Sequence, residues 1–270
     1  MDTITPAAED RRPAAAPPGN AIEVRHLTKE FRVFHKGAGS IKRAILGVMR
    51  RQRVEQFTAL KDVSFSVPHG QTLAVIGRNG SGKSTLLSLL ARVYRPTSGE
   101  VLLYSLRPGE RVRIAPLLEL GAGFHPDLDG LENAEFYGAL LGMTAREIDE
   151  RLNDIIAFAE LKGKMDTPMR NWNNGAKLRL GFAIAVHTDP DILLVDEVLA
   201  VGDEAFQQKC RQKITELQEQ GKTIIFVSHD LRTVERVASR VLWLNMGVLE
   251  MDGDTATVLA KYREAASAGR

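Results

Sequence analysis

The chain holds 270 residues, enough for one large domain or two small ones with an ample core either way. Hydrophobic residues make up 44% and charged residues 26%, and a formal net charge of only +2 argues against a polycation built to coat nucleic acid. The single cysteine, Cys210, excludes a disulfide framework and a cysteine-based zinc site, and no run approaches the ~18 apolar residues of a membrane span.

Residues 1–20 hold four of the eleven prolines and five alanines, with neither an apolar period nor an apolar signal core. They read as a disordered tail on a cytosolic chain. From Ile22 onward the pattern alternates strands and helices. Residues 29–53 then carry Lys29, Arg32, Lys36, Lys42, Arg43, Arg50, Arg51 and Arg53 against the single acid Glu30, so the rest of the chain is net acidic. Val63, Phe65 and Val67 alternate as a half-buried strand that stops at Pro68-His69-Gly70. Three short apolar runs follow: Leu73–Ile76, Ile192–Val195 and Ile224–Val227. Strands covered on both faces read this way, which predicts a parallel sheet flanked by helices. Between them the pattern is helical over about 125–188, as an inserted helical subdomain. There is no internal repeat.

Gly77-Arg78-Asn79-Gly80-Ser81-Gly82-Lys83-Ser84 fits G-x-x-x-x-G-K-[ST], directly after an apolar strand and before a helical run of leucines that starts past Thr85. The glycines let backbone N–H groups converge on phosphates, and the helix N-terminus adds positive potential. Lys83 reaches the β- and γ-phosphates, and Ser84 offers its hydroxyl to Mg²⁺. Asp196 and Glu197 follow the Ile192 strand. They read as a metal-holding acid and a group that orients and polarises the attacking water. His229 follows the next strand and points into the same crevice, as a donor to the γ-phosphate.

These motifs, with Val201-Gly202-Asp203 between the last two, occur in the order found in the ATPase subunit of ABC transporters, and the chain resembles that family over 22 to about 262. The resemblance implies an α/β fold: a P-loop NTPase core with a mostly parallel sheet, an N-terminal antiparallel β part and the inserted helical subdomain. The ATPase domain would span 21–262 and a C-terminal tail 263–270. The strings Leu118–Pro126 and Pro190–Asp203 are similar to those of bacterial polysaccharide exporters, which secrete O-antigen, capsule or teichoic-acid chains. The resemblance implies an ATP-hydrolysing subunit with ATP and Mg²⁺ as cofactors. Phe31 or Phe34 would stack on adenine, Phe34 being preferred. Glu119 would sense Mg²⁺ and the attacking water, and Asp203 would sit at a dimer seam. The main departure is at the signature loop. Trp172-Asn173-Asn174-Gly175-Ala176 stands where the polysaccharide group has an aromatic followed by Ser-Ser-Gly-Met. Asn173 replaces the serine that donates to the partner's γ-phosphate, which implies slower hydrolysis or an altered closing geometry. An amide still donates.

Ser40–Arg53 places Ile41, Ile45, Val48 and Met49 on one helical face and Lys42, Arg43, Arg50, Arg51 and Arg53 around the rest. Two readings follow, a surface helix with a solvated basic side and a helix at the membrane interface. In the exporters that this chain resembles, such an element lies at the cargo entrance beside a lipid-linked pyrophosphate. The expected assembly is a head-to-tail homodimer on an integral-membrane permease, at the cytoplasmic face of the bacterial inner membrane, without nucleic acid. Some exporters of the group carry a carbohydrate-binding domain after the ATPase; with about twenty residues after Val248, recognition of a modified chain end is not expected. A non-glycan cargo is the alternative within the family. Outside it stand a DNA- or ribosome-acting ATPase and a P-loop kinase or GTPase. One phosphate loop without a heptad run argues against the first, and the signature-like helix and His229 against the second.

Overall fold

The computed structural model describes residues 19–34, 54–107, 109–118, 120–196 and 202–268. Two long strands, β1 (Asn20–Phe34) and β2 (Val54–Pro68), pair antiparallel, and β4 (Ser98–Leu103) adds to the other side of β1. The main sheet has the order β5 (Ile114–Leu117), β6 (Ile192–Val195), β7 (Thr223–Val227), β3 (Thr72–Ile76), β8 (Arg240–Asn245), β9 (Val248–Asp254). Its pairs are parallel up to β8, and β9 closes it antiparallel.

The apolar runs are continuous because the two faces of the main sheet feed two different cores. Leu73 and Val75 of β3, Ile192 and Leu194 of β6, and Ile225 and Val227 of β7 pack toward the antiparallel sheet and α1 (Lys83–Leu90). Their neighbours Ala74 and Ile76, Leu193 and Val195, and Ile224 and Phe226 pack on the opposite face. There they meet α4 (Asn174–His187), α5 (Glu204–Glu219), α6 (Leu231–Val237) and α7 (Thr255–Ala268) through Phe182, Phe206, Val234 and Val258. At about 1.5–3 kcal/mol per fully buried large apolar side chain, this two-sided burial selects strands over any half-exposed alternative.

The helical subdomain consists of α2 (Gly130–Leu140), α3 (Ala145–Ala159), a 3₁₀ turn (Met169–Asn171) and the start of α4, around its own core of Tyr137, Ile155, Met169, Trp172 and Leu180. Each helix start is set by the sequence. Asp129 with Glu132 and Thr144 with Glu147 form capping boxes for α2 and α3. Asn173 caps α4 and Asp203 caps α5. No helix among the described residues is long and apolar enough to cross a membrane.

Candidate functional site

The register of the sheet decides what shares an edge. Val195 pairs with Phe226, and Phe226 with Ala74. The loops leaving β6, β7 and β3 therefore open on one edge, with Gly77, Asp196 and Ser228-His229 side by side. Gly77 takes a φ of +150°, and a Cβ there would lie 2.2 Å from Leu244 O and 2.5 Å from Ser81 Oγ, so only glycine fits this turn. From behind, the Gly247 N–H donates to Ser81 O at 3.1 Å, and the Lys61 N–H to Gly247 O at 2.8 Å. The loop is thus fixed from β2 and the β8–β9 turn.

Inside it, Lys83 is 8% exposed and donates from Nζ to Gly77 O (2.8 Å) and Arg78 O (3.0 Å). Burial lowers the Lys83 pKa, against the charge of Asp196, and burial raises that of Asp196, against the charge of Lys83. Both groups are held toward their neutral forms by an enclosure that an arriving polyphosphate would relieve for the lysine. Helix α1 starts at Gly82 with no side-chain cap and no acid in its first turn. Ser81 Oγ is buried without a hydrogen-bond partner among the described residues. An uncapped helix start, a buried orphan hydroxyl and a lysine parked on loop carbonyls fit a phosphate group. Arg78, Asn79, Gly80 and Ser84 are exposed and Thr85 is half-buried. Ser84 and the half-buried Asp196 offer hard oxygen ligands of the kind that suits Mg²⁺. His229 is exposed on the same edge. Glu197, assigned to water activation, and Glu119, assigned to sensing, lie outside the described residues, as does the basic segment with Lys42, Arg43, Arg50 and Arg51.

Phe31 packs edge-to-face on Tyr94 with ring centroids 5.4 Å apart, and Lys29 Nζ stands 4.9 Å over the Phe31 ring. Phe34 ends β1, and its side chain is outside the described residues. The pairing of Phe31 with Tyr94 had no signal in the sequence, because nothing local to either ring points to the other.

At the signature loop Asn173 and Asn174 are exposed and Gly175 is half-buried. The Asn173 amide oxygen accepts the Ala176 N–H at 2.8 Å, and the indole N–H of Trp172 donates to Thr167 O at 2.9 Å. Asp203, expected at a dimer seam, uses both carboxylate oxygens within its own chain. Oδ1 accepts the Phe206 N–H (3.0 Å) and Oδ2 accepts from Arg179 (2.8 Å). The Phe206 N–H first, and Arg179 after it, hold this carboxyl below its ordinary pKa. Nothing local to Arg179 in the sequence singles it out as the partner of Asp203, 24 residues away.

A family model described as ABC transporter matches residues 60–200. The O-antigen export system ATP-binding protein RfbB of Klebsiella pneumoniae is 41% identical over 247 residues, 90% of this chain and 98% of that protein. Its namesake from Myxococcus xanthus is 43% identical over 254 residues, and the chain spans 56% of that longer protein. The teichoic acids export ATP-binding protein TagH of Levilactobacillus brevis is 40% identical over 90% of this chain and 64% of its own length. Among solved structures, the ATP-binding cassette MJ0796, a dimer bound to ADP and Pi, superposes with a TM-score of 0.65 at 24% identity, covering 87% of this chain and 98% of that one. With the cassette fold and this breadth of similarity, the chain belongs to the ABC transporter family.

Proposed function

We propose that this chain is the ATP-binding and ATP-hydrolysing subunit of an exporter that moves a lipid-linked polysaccharide, such as O-antigen, capsule or teichoic acid, across the cytoplasmic membrane. The observation that carries the reading is the phosphate cradle: the Gly77–Ser84 loop, the buried Lys83 and the neighbouring Asp196 on one sheet edge. The names of the relatives support the glycan cargo.

In this reading Lys83 exchanges its two loop carbonyls for the β- and γ-phosphate oxygens, and the N–H groups of the loop and of the α1 start hold the remaining charge. Ser84 and Asp196, with Glu119, would hold Mg²⁺, which would supply neutralisation of the phosphate charge. Glu197 accepts the proton of the attacking water, and His229 donates to the γ-phosphate. Two copies associate head to tail, each closing the other's nucleotide with Asn173–Gly175. Phe31 or Phe34 meets the adenine. Closure and reopening drive a separate permease at the cytoplasmic face. Lys42, Arg43, Arg50 and Arg51 face lipid phosphates at the cargo entrance.

The test is chemical. Cells of the source organism carrying Lys83→Ala accumulate lipid-linked polymer inside and lose it from the surface. An unchanged surface glycan with no internal polymer overturns the cargo. The same extraction tests the basic segment: a variant with those four residues changed to Gln accumulates polymer too, and normal export removes them from the cargo path.

A further inference from the structure

Arg179 lies on α4, on the same helix that Asn173 caps, and its guanidinium is gripped on three sides. Nη1 donates to Glu160 at 2.7 Å, where α3 ends in a left-handed residue. Nη2 donates to Asp203 at 2.8 Å, and the guanidinium carbon stands 4.6 Å from the centre of the Phe206 ring. The side chain is 18% exposed, against 67% for Asp203. The turn before α5 is shaped to receive it. Gly202 has a φ of +75°, and a Cβ there would come within 3.1 Å of Arg179 Nε and of Phe206 Cβ. From the same helix as Phe206, Lys209 donates to Phe158 O at 2.8 Å and to Glu160 at 3.3 Å. Phe158, Phe182 and Phe206 form a ring cluster beneath, with centroids 5.8 to 6.4 Å apart.

One arginine therefore ties together the end of α3, the body of α4 and the start of α5. We infer that Arg179 is a positioning residue that presents Asn173–Gly175 and Gly202–Asp203 as one preassembled face to the nucleotide of a second copy of this chain. Asp203 takes part by shaping its own subunit rather than by reaching across the seam. The inference rests on the head-to-tail reading above. Its physical basis is preorganisation: a face already ordered in the monomer avoids the cost of ordering side chains and a loop at association. The planar fork suits the task, because it bonds two carboxylates while its face lies on an aromatic ring, and a lysine offers only a point charge on a flexible stem.

The experiment uses the full chain in a Glu197→Gln background, so that ATP is held unhydrolysed. Dimerisation with Mg-ATP is followed by sedimentation over a concentration series, and monomer affinity by a fluorescent ATP analogue. Arg179→Ala and Asp203→Asn each weaken dimerisation about tenfold, within the usual range for coupling between two sites. Arg179→Lys falls between them and the parent. Analogue affinity stays within about twofold of the parent, since Arg179 touches no part of the phosphate loop. Asp203→Asn keeps the fold testable, because asparagine caps a helix as well as aspartate does. Equal dimerisation of parent and variants overturns the inference alone, and so does an equal loss of analogue affinity, which marks a general structural role. A parent that stays monomeric with ATP overturns the inference and the head-to-tail reading together.

Discussion

The amide oxygen of Asn173 accepts the backbone N–H of Ala176 at 2.8 Å, and this one bond starts α4 at the residue expected to meet the partner's γ-phosphate. With Oδ1 committed to the cap, the Nδ2 hydrogens are the part of the side chain left to donate outward. A serine hydroxyl in this place would accept the cap with its lone pairs and donate with its single hydrogen. Asparagine divides the two tasks between two atoms, at the cost of a longer reach.

Three substitutions separate those tasks. Asn173→Ala loses the cap, about 1 kcal/mol of stability, and the donor with it. Asn173→Asp keeps the cap and melts like the parent, but sets a carboxylate against the γ-phosphate and abolishes ATP-driven dimerisation. Asn173→Ser keeps cap and donor at the shorter reach and raises the turnover rate. Thermal melts, sedimentation with ATP and phosphate release check the three outcomes. An Asn173→Asp variant that dimerises like the parent removes the loop from the nucleotide site.

Gly77 is the narrowest point of the phosphate loop, with Leu244 O 2.2 Å from where a Cβ would stand. The neighbour is backbone of a buried strand and has nowhere to go. Gly77→Ala therefore pushes the loop off the β8 edge and strains a φ that alanine rarely adopts. The expected result is a loss of ATP-analogue binding of about a hundredfold or more, with about 2–3 kcal/mol of stability lost to strain. Titration calorimetry beside urea unfolding checks it. Near-parental binding would mean that the loop takes another path.

What could be read from the sequence is what is coded locally. Leu73–Ile76, Ile192–Val195 and Ile224–Val227 announced themselves because a strand covered on both faces leaves no position for a polar residue, and all three are buried throughout. Pro68 marked the end of β2, and the glycine loop stands between β3 and α1 as its pattern requires. The helical insertion was legible from period alone. Contacts between distant residues were not. Arg179 meets Asp203 and Glu160 from sequence separations of 24 and 19, and neither spacing carries a period or a motif. Tyr94 reaches Phe31 because β1 passes close to the segment after α1. A charged or aromatic side chain announces its own chemistry in sequence, while its partner is decided by topology.

An ion pair ties the helical subdomain to the sheet. Arg113, just before β5, donates to Glu147 at 2.6 Å in the first turn of α3, with side-chain exposures of 15% and 23%. Its backbone N–H donates to the buried Asp191 at 2.9 Å, and its guanidinium also donates to the carbonyl of the buried Thr188 at 3.3 Å, so the residue is anchored to the core. The hydrogen bond from Arg113 leads in holding the Glu147 carboxyl down from 4.5 to about 2, and the Thr144 N–H adds to it. The folded pKa is depressed, so between these values the unfolded chain binds more protons than the folded one. The contribution to stability is full above about pH 4.5 and is lost as pH falls toward 2. Glutamine keeps the capping box and removes only the charge. Glu147→Gln then costs about 1–2 kcal/mol at pH 7, after allowance for partial exposure to solvent. The gap between variant and parent narrows steadily below pH 4.5, as urea midpoints from pH 7 down to pH 3 would record. A gap that stays constant with pH would place the loss in the cap rather than in the ion pair.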